Sequence, residues 1–431
     1  GWFAASAGLG IFAQYLVIYS VASLVIMYLM ARPVWIWGKV FDLETQADMI
    51  GLRYGNKKFK VLFSLATFLF WFPWLILEMK TIGYIVAAAT YHSINFNIGM
   101  IIVSLFVVIY SFYGGARATA IGNLVQGITF TVIGTITVYY LIRKIYGGVF
   151  AIYPVLQELK PELLTLQGGF GGNYWASVII TCTLGAFTLP GIFNRIYMAD
   201  SPKAVKKSVF IAPLAGVFIG FLTLALGLGA GLLEGFPADA QSAIFWMADH
   251  YGGPFVLALI GIFALSACMS TISAVINTAS VLIAKDLASS VVKNLSRETM
   301  LKYAKGLTIG VGLISLYIAT IDLPNLMMIA LVMYDCIVQA FIPLFVGLFW
   351  RKSNLPGAFA GMLIGVVIAL YGNLNPQSIA WTGGWSAGMV GMGVNFIVHI
   401  ICGFAFGKQK HVDEIFKVVN NYKQTEGSKL I

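Results

Sequence analysis

ALSACMSTISAVINTASVLIAKD, residues 264–286, is a segment long enough to cross a lipid bilayer as a helix. Five small polar residues recur along it at helical spacing: Ser266, Ser270, Ser273, Asn277 and Ser280. Spacings of four, three, four and three place them on one stripe of a helix whose other faces are apolar. Because a hydroxyl in hydrocarbon needs a partner, the stripe is expected to face a neighbouring helix, a water-filled cavity or a bound ion.

The composition of the whole chain is that of a membrane protein with many spans. Hydrophobic residues make up 59% of the 431 residues and charged residues only 10%, which is too little polar surface for a soluble domain of this size. Lys and Arg outnumber Asp and Glu by 27 to 17, but the basic residues cluster in short loops between apolar segments. This distribution indicates a lipid bilayer and not nucleic acid as the partner. The four cysteines lie in apolar stretches and are predicted to be small buried side chains.

The apolar segments predict about eleven transmembrane spans. The excess of Lys and Arg falls on odd-numbered connections, so these loops are predicted to be cytoplasmic and Gly1 to face outside. We therefore expect one transmembrane transporter domain, residues 1–407, and a cytoplasmic C-terminal tail, residues 408–431. The predicted spans are 2–31, 60–89, 97–115, 119–145, 175–194, 207–233, 254–285, 302–320, 325–350, 356–372 and 386–406.

The fifth predicted span is expected to be a broken helix. It carries Gly185 and Pro190 within LGAFTLPGIFNR, and both residue types interrupt the helical hydrogen-bond ladder. The freed backbone groups need a bound ligand or a neighbouring element. A packing kink without a ligand is the alternative reading.

Three charged residues lie inside predicted spans: Glu78, Lys80 and Asp335. Each is costly in hydrocarbon and is therefore a candidate functional residue. Glu78 and Lys80 are two positions apart, so they point in different directions and do not form the usual helical ion pair. Either could pair with Asp335 on another helix, or face a substrate.

Within the polar stripe, Ala267, Ser270 and Thr271 could bind a sodium ion. A dehydrated sodium ion requires about five or six oxygens, and a helix can offer adjacent hydroxyls together with a carbonyl one turn earlier. The alternative is that the hydroxyls only bond to a neighbouring helix and stabilise its packing.

Four segments resemble the sodium/solute symporter family. They are IYSFYGGARATAIGNLVQG at 109–127, NRIYMADSPKAVKKS at 194–208, ACMSTISAVINTAS at 267–280, and IVQAFIPLFVGLFWRKSNLPGAFAGMLIG at 337–365. They follow the order of the family's motifs and together span most of the chain. Each segment alone is moderately specific for the family, whereas the four together are a strong match.

The resemblance implies an all-α membrane protein of the leucine-transporter type. That fold has two inverted repeats of five helices, each beginning with a broken helix, and here two further C-terminal helices. On this basis the fifth span begins the second repeat. The first repeat's broken helix, and an accessory helix before it, are expected upstream of Gly1.

The resemblance also implies a sodium site formed by the Ala267 carbonyl and the hydroxyls of Ser270 and Thr271. Many family members have an aspartate where this chain has Asn123, and some bind a second sodium ion there. Ala274 likewise stands where such members have a hydroxyl. Because these replacements are uncharged or lack an oxygen, we expect one sodium ion per cycle.

The implied function is sodium-coupled import of a small solute across the plasma membrane, in a bacterial or archaeal inner membrane, and not enzymatic catalysis. Lys80, together with the pattern of Tyr334, Gln339 and Pro343, makes the chain resemble members that carry small carboxylates or amino acids, so the expected solute is a small organic anion or an amino acid. Two other classes stay open: a symporter-like membrane sensor acting with a signalling partner, and a proton-coupled or sodium-independent carrier. The predicted substrate-binding residues are Glu78, Lys80, Phe187, Thr188, Asn194, Asp335 and Gln339.

Overall fold

The structure is a computed structural model that describes residues 18, 23–165, 171–237, 243–288, 296–321 and 326–426. Within these ranges the chain is helical and contains no β-strand. A π-helical turn, Ile283–Ala288, continues α10. The α-helices are α1 Ser23–Phe41, α2 Gln46–Tyr54, α3 Lys57–Ala89, α4 Phe96–Gly115, α5 Ala118–Tyr146, α6 Ile152–Leu159, α7 Gly172–Phe187, α8 Pro190–Met198, α9 Pro202–Leu228, α10 Ala243–Leu282, α11 Arg297–Ala319, α12 Leu326–Ile337, α13 Phe341–Phe349, α14 Leu355–Leu374, α15 Ala387–Phe406 and α16 Val412–Glu426.

The described residues contain 8 helices that are long and apolar enough to span a membrane, or 9 when the bent pair α7 and α8 is counted as one span. The count of eleven stays a prediction, because the predicted spans 2–31 and 207–233 include residues whose backbone or side chains lie outside the description. The predicted end of the first span at residue 31 is wrong, since α1 continues to Phe41. Trp35, Ile36 and Trp37 extend it because their side chains are buried in the core.

Two glycines interrupt helices at positions where the sequence predicted boundaries, one between α4 and α5 and one within α10. Gly115 has φ 60° between α4 and α5. Gly253 has φ 75° just before Pro254, where the predicted span 254–285 begins. Left-handed φ values strain any residue with a Cβ atom, so glycine is the residue that permits both breaks.

The predicted broken helix is confirmed. Helices α7 and α8 meet at an angle of 47° across Thr188 and Leu189. The Thr188 backbone N–H donates to the carbonyls of Leu184 (3.2 Å) and Gly185 (3.0 Å), so the end of α7 is closed by its own residues. Pro190 occupies the first turn of α8, where its missing N–H removes no helical hydrogen bond.

The helices bury two main apolar cores. One core joins α3, α4, α5, α10 and α11, and the other joins α1, α2, α13, α14 and α16. The predicted C-terminal tail contains α16, whose Val412 and Val419 are buried and whose Phe416 ring lies 5.8 Å from Trp37. The boundary at residue 407 stays a prediction, although α16 is packed against α1.

Candidate functional site

The three predicted sodium ligands lie within one turn of α10. The hydroxyls of Ser270 and Thr271 both donate to the Ala267 carbonyl, at 2.7 and 3.2 Å. These bonds bring the three oxygens together on one side of the helix. Each hydroxyl oxygen keeps lone pairs that can contact a cation while its proton is donated.

The remainder of the polar stripe contacts α5. The Ser273 hydroxyl donates to Asn123 Oδ1 at 2.9 Å, and Asn277 Nδ2 donates to Thr119 Oγ1 at 2.8 Å. Ser280, buried, donates to a carbonyl of its own helix. The stripe therefore has two parts, a turn with converging oxygens and a part that bonds to its neighbour.

Glu78, on α3, faces the polar helix α10. Its carboxyl lies beside the side chains of Cys268 on α10 and Trp74 on α3. The Trp74 ring lies 6.1 Å from Tyr334 on α12, edge to face. A Cβ atom at Gly185 would lie 3.1 Å from the Tyr334 ring, so the end of α7 packs on the same aromatic side chain. Contacts thus run from the α10 turn of Ala267, Ser270 and Thr271 to the helix break.

Lys80 has a different environment from Glu78. Its side chain is buried, with 7% of the residue exposed, and no hydrogen bond or ion pair joins it to any described residue. The ion pair that we considered between Asp335 and either Lys80 or Glu78 is absent from the described part of the chain. The different directions predicted for Glu78 and Lys80 agree with their different environments.

Phe187 and Thr188 occupy the helix break and are both buried. The Thr188 hydroxyl donates to Gly185 O at 2.7 Å and to Ile337 O at 3.1 Å, which ties the break to the end of α12. The Phe187 ring packs 5.2 Å from Phe193 and 6.2 Å from Phe341. Both side chains therefore stabilise the shape of the break.

Asp335, a residue of α12, faces the N-terminus of α15. Its carboxylate accepts from Asn373 Nδ2 at 3.0 Å and Ser386 Oγ at 3.4 Å, and it also contacts the Gly388 backbone. Ser386 is the N-cap of α15, so the positive end of that helix faces the carboxylate. These donors explain how the Asp335 carboxylate is accommodated without a basic partner in the described ranges of the chain.

Gln339 is fully buried and joins α12 to α15. Its Nε2 donates to the backbone carbonyls of Asp335 and Gly388, both at 3.0 Å. Asn395 Nδ2 donates to the backbone carbonyl of Gln339 at 2.9 Å. Asp335 and Gln339 thus lie among α12, α14 and α15. They are not brought together with Glu78.

An ion-pair cluster surrounds the N-terminus of α2, on the face predicted to be cytoplasmic. We call Glu44, Asp48, Lys60, Lys285 and Asp286 the α2 ion-pair cluster. Lys60 Nζ lies 2.6 Å from Asp48 and 3.2 Å from Asp286, and Lys285 Nζ lies 3.0 Å from Asp48 and 2.5 Å from Glu44. These pairs connect α2 to the ends of α3 and α10.

Asn194, the remaining predicted substrate residue, lies beside this cluster. With its amide nitrogen turned to the available acceptors, it donates to Glu44 O at 3.0 Å and Pro190 O at 3.2 Å. This bond adds α8 to the elements joined at the α2 ion-pair cluster.

The fold and the polar turn on α10 allow the chain to be compared with known proteins. The sequence model of the sodium:solute symporter family matches residues 2–365. The chain belongs to that family. It is a transporter and not an enzyme, as the sequence motifs predicted.

Relatives of this symporter include proteins with and without a known solute. An uncharacterised symporter of Bacillus subtilis, YhjB, is 26% identical over 85% of this chain and 76% of its own length. The sodium/pantothenate symporter of Escherichia coli is 25% identical over 79% of this chain and 71% of its own length. The monocarboxylic acid transporter of Corynebacterium glutamicum is 25% identical over 82% of this chain and 69% of its own length.

Solved structures confirm the leucine-transporter type of fold. A Na⁺-coupled sialic acid symporter in a substrate-bound outward-open state has a TM-score of 0.67, with 19% identity, over 94% of this chain and 90% of that one. The transporter Mhp1 in an inward-facing conformation has a TM-score of 0.57, with 12% identity, over 97% and 92%. These similarities describe the architecture alone.

Sequence reasoning did not identify the contact between Glu78 and Cys268. Cys268 was interpreted as a small buried side chain, and it is buried, but it also contacts a carboxyl group. Trp74 and Tyr334 were not predicted as site residues. Helical spacing places Trp74 beside Glu78 on α3. The contacts with Cys268 and Tyr334 could not be found in this way, because those residues lie on two other helices.

Proposed function

We propose that this symporter imports a small organic anion or an amino acid together with one sodium ion. The observation that carries the proposal is the convergence of Ala267 O, Ser270 Oγ and Thr271 Oγ1 within one turn of α10. Carbonyl and hydroxyl oxygens are hard donors, which suit a hard cation. Oxygens from a second helix would complete the coordination.

Sodium binding would drive transport by favouring one conformation of the carrier. A ligand shifts a conformational equilibrium only by its difference in affinity between the two states. Entry of one positive charge at a negative-inside potential releases about 2.3 kcal/mol per 100 mV. The α2 ion-pair cluster connects α2 and α8 to α3 and α10, so these elements must separate if the predicted cytoplasmic side is to open.

The solute class follows from Lys80. A buried ammonium group without a partner among the described residues is expensive in a membrane, so an anionic ligand would stabilise it. Glu78 faces α10 and is not in contact with the Lys80 ammonium group. The contrast favours a carboxylate-bearing solute at Lys80, and within the proposed classes an organic anion over a zwitterion.

Ion replacement tests the transport mode. We expect purified protein in proteoliposomes to accumulate labelled small carboxylates under an inward sodium gradient and to stop when choline replaces sodium. Accumulation driven by a pH gradient and unchanged in choline would contradict sodium coupling. Solute binding without accumulation under any gradient would instead indicate a sensor.

Replacing Lys80 by glutamine tests the solute class. Lys80→Gln keeps a long polar side chain but removes the charge, so the KM for the transported carboxylate is expected to rise about tenfold or more, because a charged hydrogen bond is worth about 1.5–3 kcal/mol. Lys80→Arg should restore part of the affinity. The matched control is Lys302→Gln, since Lys302 is exposed and pairs only with Glu298 along α11. An unchanged KM in Lys80→Gln at equal expression would exclude the proposed contact.

A further inference from the structure

A cavity of about 390 Å³ lies between the first turns of α3 and α14. Pockets that hold small ligands occupy roughly 300–1,000 Å³, so this cavity is large enough to bind one. None of the residues proposed above to bind sodium or solute lines it. Its walls are mostly apolar side chains, which are Phe59, Leu62, Leu355, Pro356 and Phe359.

Two aromatic rings join the helices at this cavity. The Phe59 side chain is buried, and its ring lies 6.2 Å from the Phe359 ring, edge to face. Leu62 and Phe359 nevertheless keep 45% and 40% of their surface exposed. The cavity is therefore an open cleft with a closed back wall, and its apolar sides are accessible from outside the protein.

The exposed apolar surface continues from the cavity along both helices. The residues that continue it are Leu65 and Leu69 on α3, and Leu363 and Val367 on α14. They follow Leu62 by three and seven positions and Phe359 by four and eight, so they share a helix face with these cavity residues. Both helices are long and apolar enough to span a membrane. This surface therefore faces hydrocarbon, where a lipid acyl chain can lie against it.

Lys58 gives the cavity a positive charge at the beginning of α3. Its side chain is exposed and forms no ion pair with any residue that the structure describes, and none of the described residues that line the cavity is acidic. Lys60, two positions further along, is by contrast paired with Asp48 and Asp286. The connection before α3 is predicted to be cytoplasmic, and anionic lipid headgroups on that side of a membrane attract Lys and Arg.

We propose that this cavity binds one anionic phospholipid, with its phosphate at Lys58 and an acyl chain along Leu62 and Phe359. A free phosphate would match the charge of Lys58 but would leave the apolar walls uncovered. A phospholipid supplies both parts, and a headgroup with net negative charge compensates the lysine. The bound lipid bridges α3 and α14 at the point where the Phe59 and Phe359 rings meet.

Native mass spectrometry of the purified protein in detergent measures this binding directly. The protein is titrated with palmitoyl-oleoyl phosphatidylglycerol, and the dissociation constant of the first bound lipid is compared with that of phosphatidylcholine carrying the same chains. We expect phosphatidylglycerol to bind more tightly, and Lys58→Gln to raise its dissociation constant about fivefold. The matched control is Lys57→Gln, which removes the same charge one position away, outside the cavity lining. Equal affinity for the two lipids, or an equal loss in Lys57→Gln and Lys58→Gln, would overturn the proposal.

A second pair of variants tests the apolar part of the site. Leu62→Trp fills the cavity with a larger side chain and should lose most of the phosphatidylglycerol binding. Leu69→Trp places the same side chain on α3 outside the cavity lining and should retain it. Both positions are exposed, so both variants are expected to fold. If inorganic phosphate displaces the lipid and Leu62→Trp binds it normally, Lys58 binds a free anion and the lipid site is wrong.

Discussion

Replacing Ser270 and Thr271 together by alanine is expected to abolish sodium-driven uptake at physiological sodium concentrations. Both hydroxyls converge on the Ala267 carbonyl, so the double variant removes two of the three proposed ligands on α10. A hydrogen bond or ligand contact to a charged group contributes about 1.5–3 kcal/mol, so the two together lower sodium affinity by at least about 100-fold. The measurement is initial uptake against sodium concentration in proteoliposomes.

Two matched variants distinguish ligation from packing. Ser280→Ala removes a hydroxyl from the same helix, but Ser280 bonds only to its own Ile276 carbonyl, so uptake should stay near that of the unchanged protein. Thr271→Ser keeps the hydroxyl and should retain most of the sodium affinity. If the Ser270 and Thr271 double variant folds and transports with the original sodium dependence, the hydroxyls serve packing and the ion binds elsewhere.

Asp286→Asn is expected to lower the thermal stability of the protein by several degrees. The Asp286 side chain is fully buried, accepts from Thr45 at 3.2 Å and Ser64 at 3.0 Å, and pairs with Lys60. Asp286→Asn removes one of the two carboxylates that pair with Lys60, which keeps Asp48 at 2.6 Å. The expected cost is about 1.5–3 kcal/mol, that of a hydrogen bond to a charged group. The measurement is the midpoint of thermal unfolding in detergent.

Asp413→Asn is the control for this experiment, because Asp413 pairs with Arg351 and Lys408 at an exposed position on α16. Exposed pairs contribute about 0–1 kcal/mol, so the unfolding midpoint should hardly change. An equal effect of both substitutions would contradict a special role for the α2 ion-pair cluster.

The destabilisation caused by a different substitution in this cluster, Asp48→Asn, should be the same from pH 5 to pH 8. Burial raises the pKa of the neighbouring Asp48, but Lys60 and Lys285 outweigh it and lower that pKa from 3.8 to about 2. A carboxyl with a depressed pKa stabilises the fold above its ordinary value of about 3.9 and loses this contribution as the pH falls through 2. Asp48 therefore stays ionised throughout the tested range.

Several features were predictable because they depend on local chemistry. The spacing from Ser266 to Ser280 predicted the polar stripe, because side chains three and four residues apart share one face of a helix. Gly185 and Pro190 predicted the broken helix, because these residue types interrupt backbone hydrogen bonding. The end of α1 was misplaced because Arg32 and Pro33 resemble a helix terminus, although Trp35 to Trp37 continue into the core.

The environments of the buried charged residues were not predictable. Asp335 and Gln339 were grouped with Glu78 as substrate-binding candidates because all are polar residues in apolar segments. The structure gives Asp335 and Gln339 partners on α14 and α15, from segments 38 or more residues away along the chain. Which polar groups meet depends on how the helices pack, and helical periodicity carries no information about that.

The sequence alone determined that the chain spans a membrane, where its helix breaks, and which turn of α10 presents converging oxygens. Each of these follows from interactions within about one or two helical turns. Tertiary structure alone decided that Ser273 and Asn277 bond to α5, that Glu78 lies against Cys268, and that Lys80 is buried without a partner among the residues that the structure describes. The reason is that a polar side chain in hydrocarbon needs a partner within the protein, and that partner lies on another helix, whose position depends on packing.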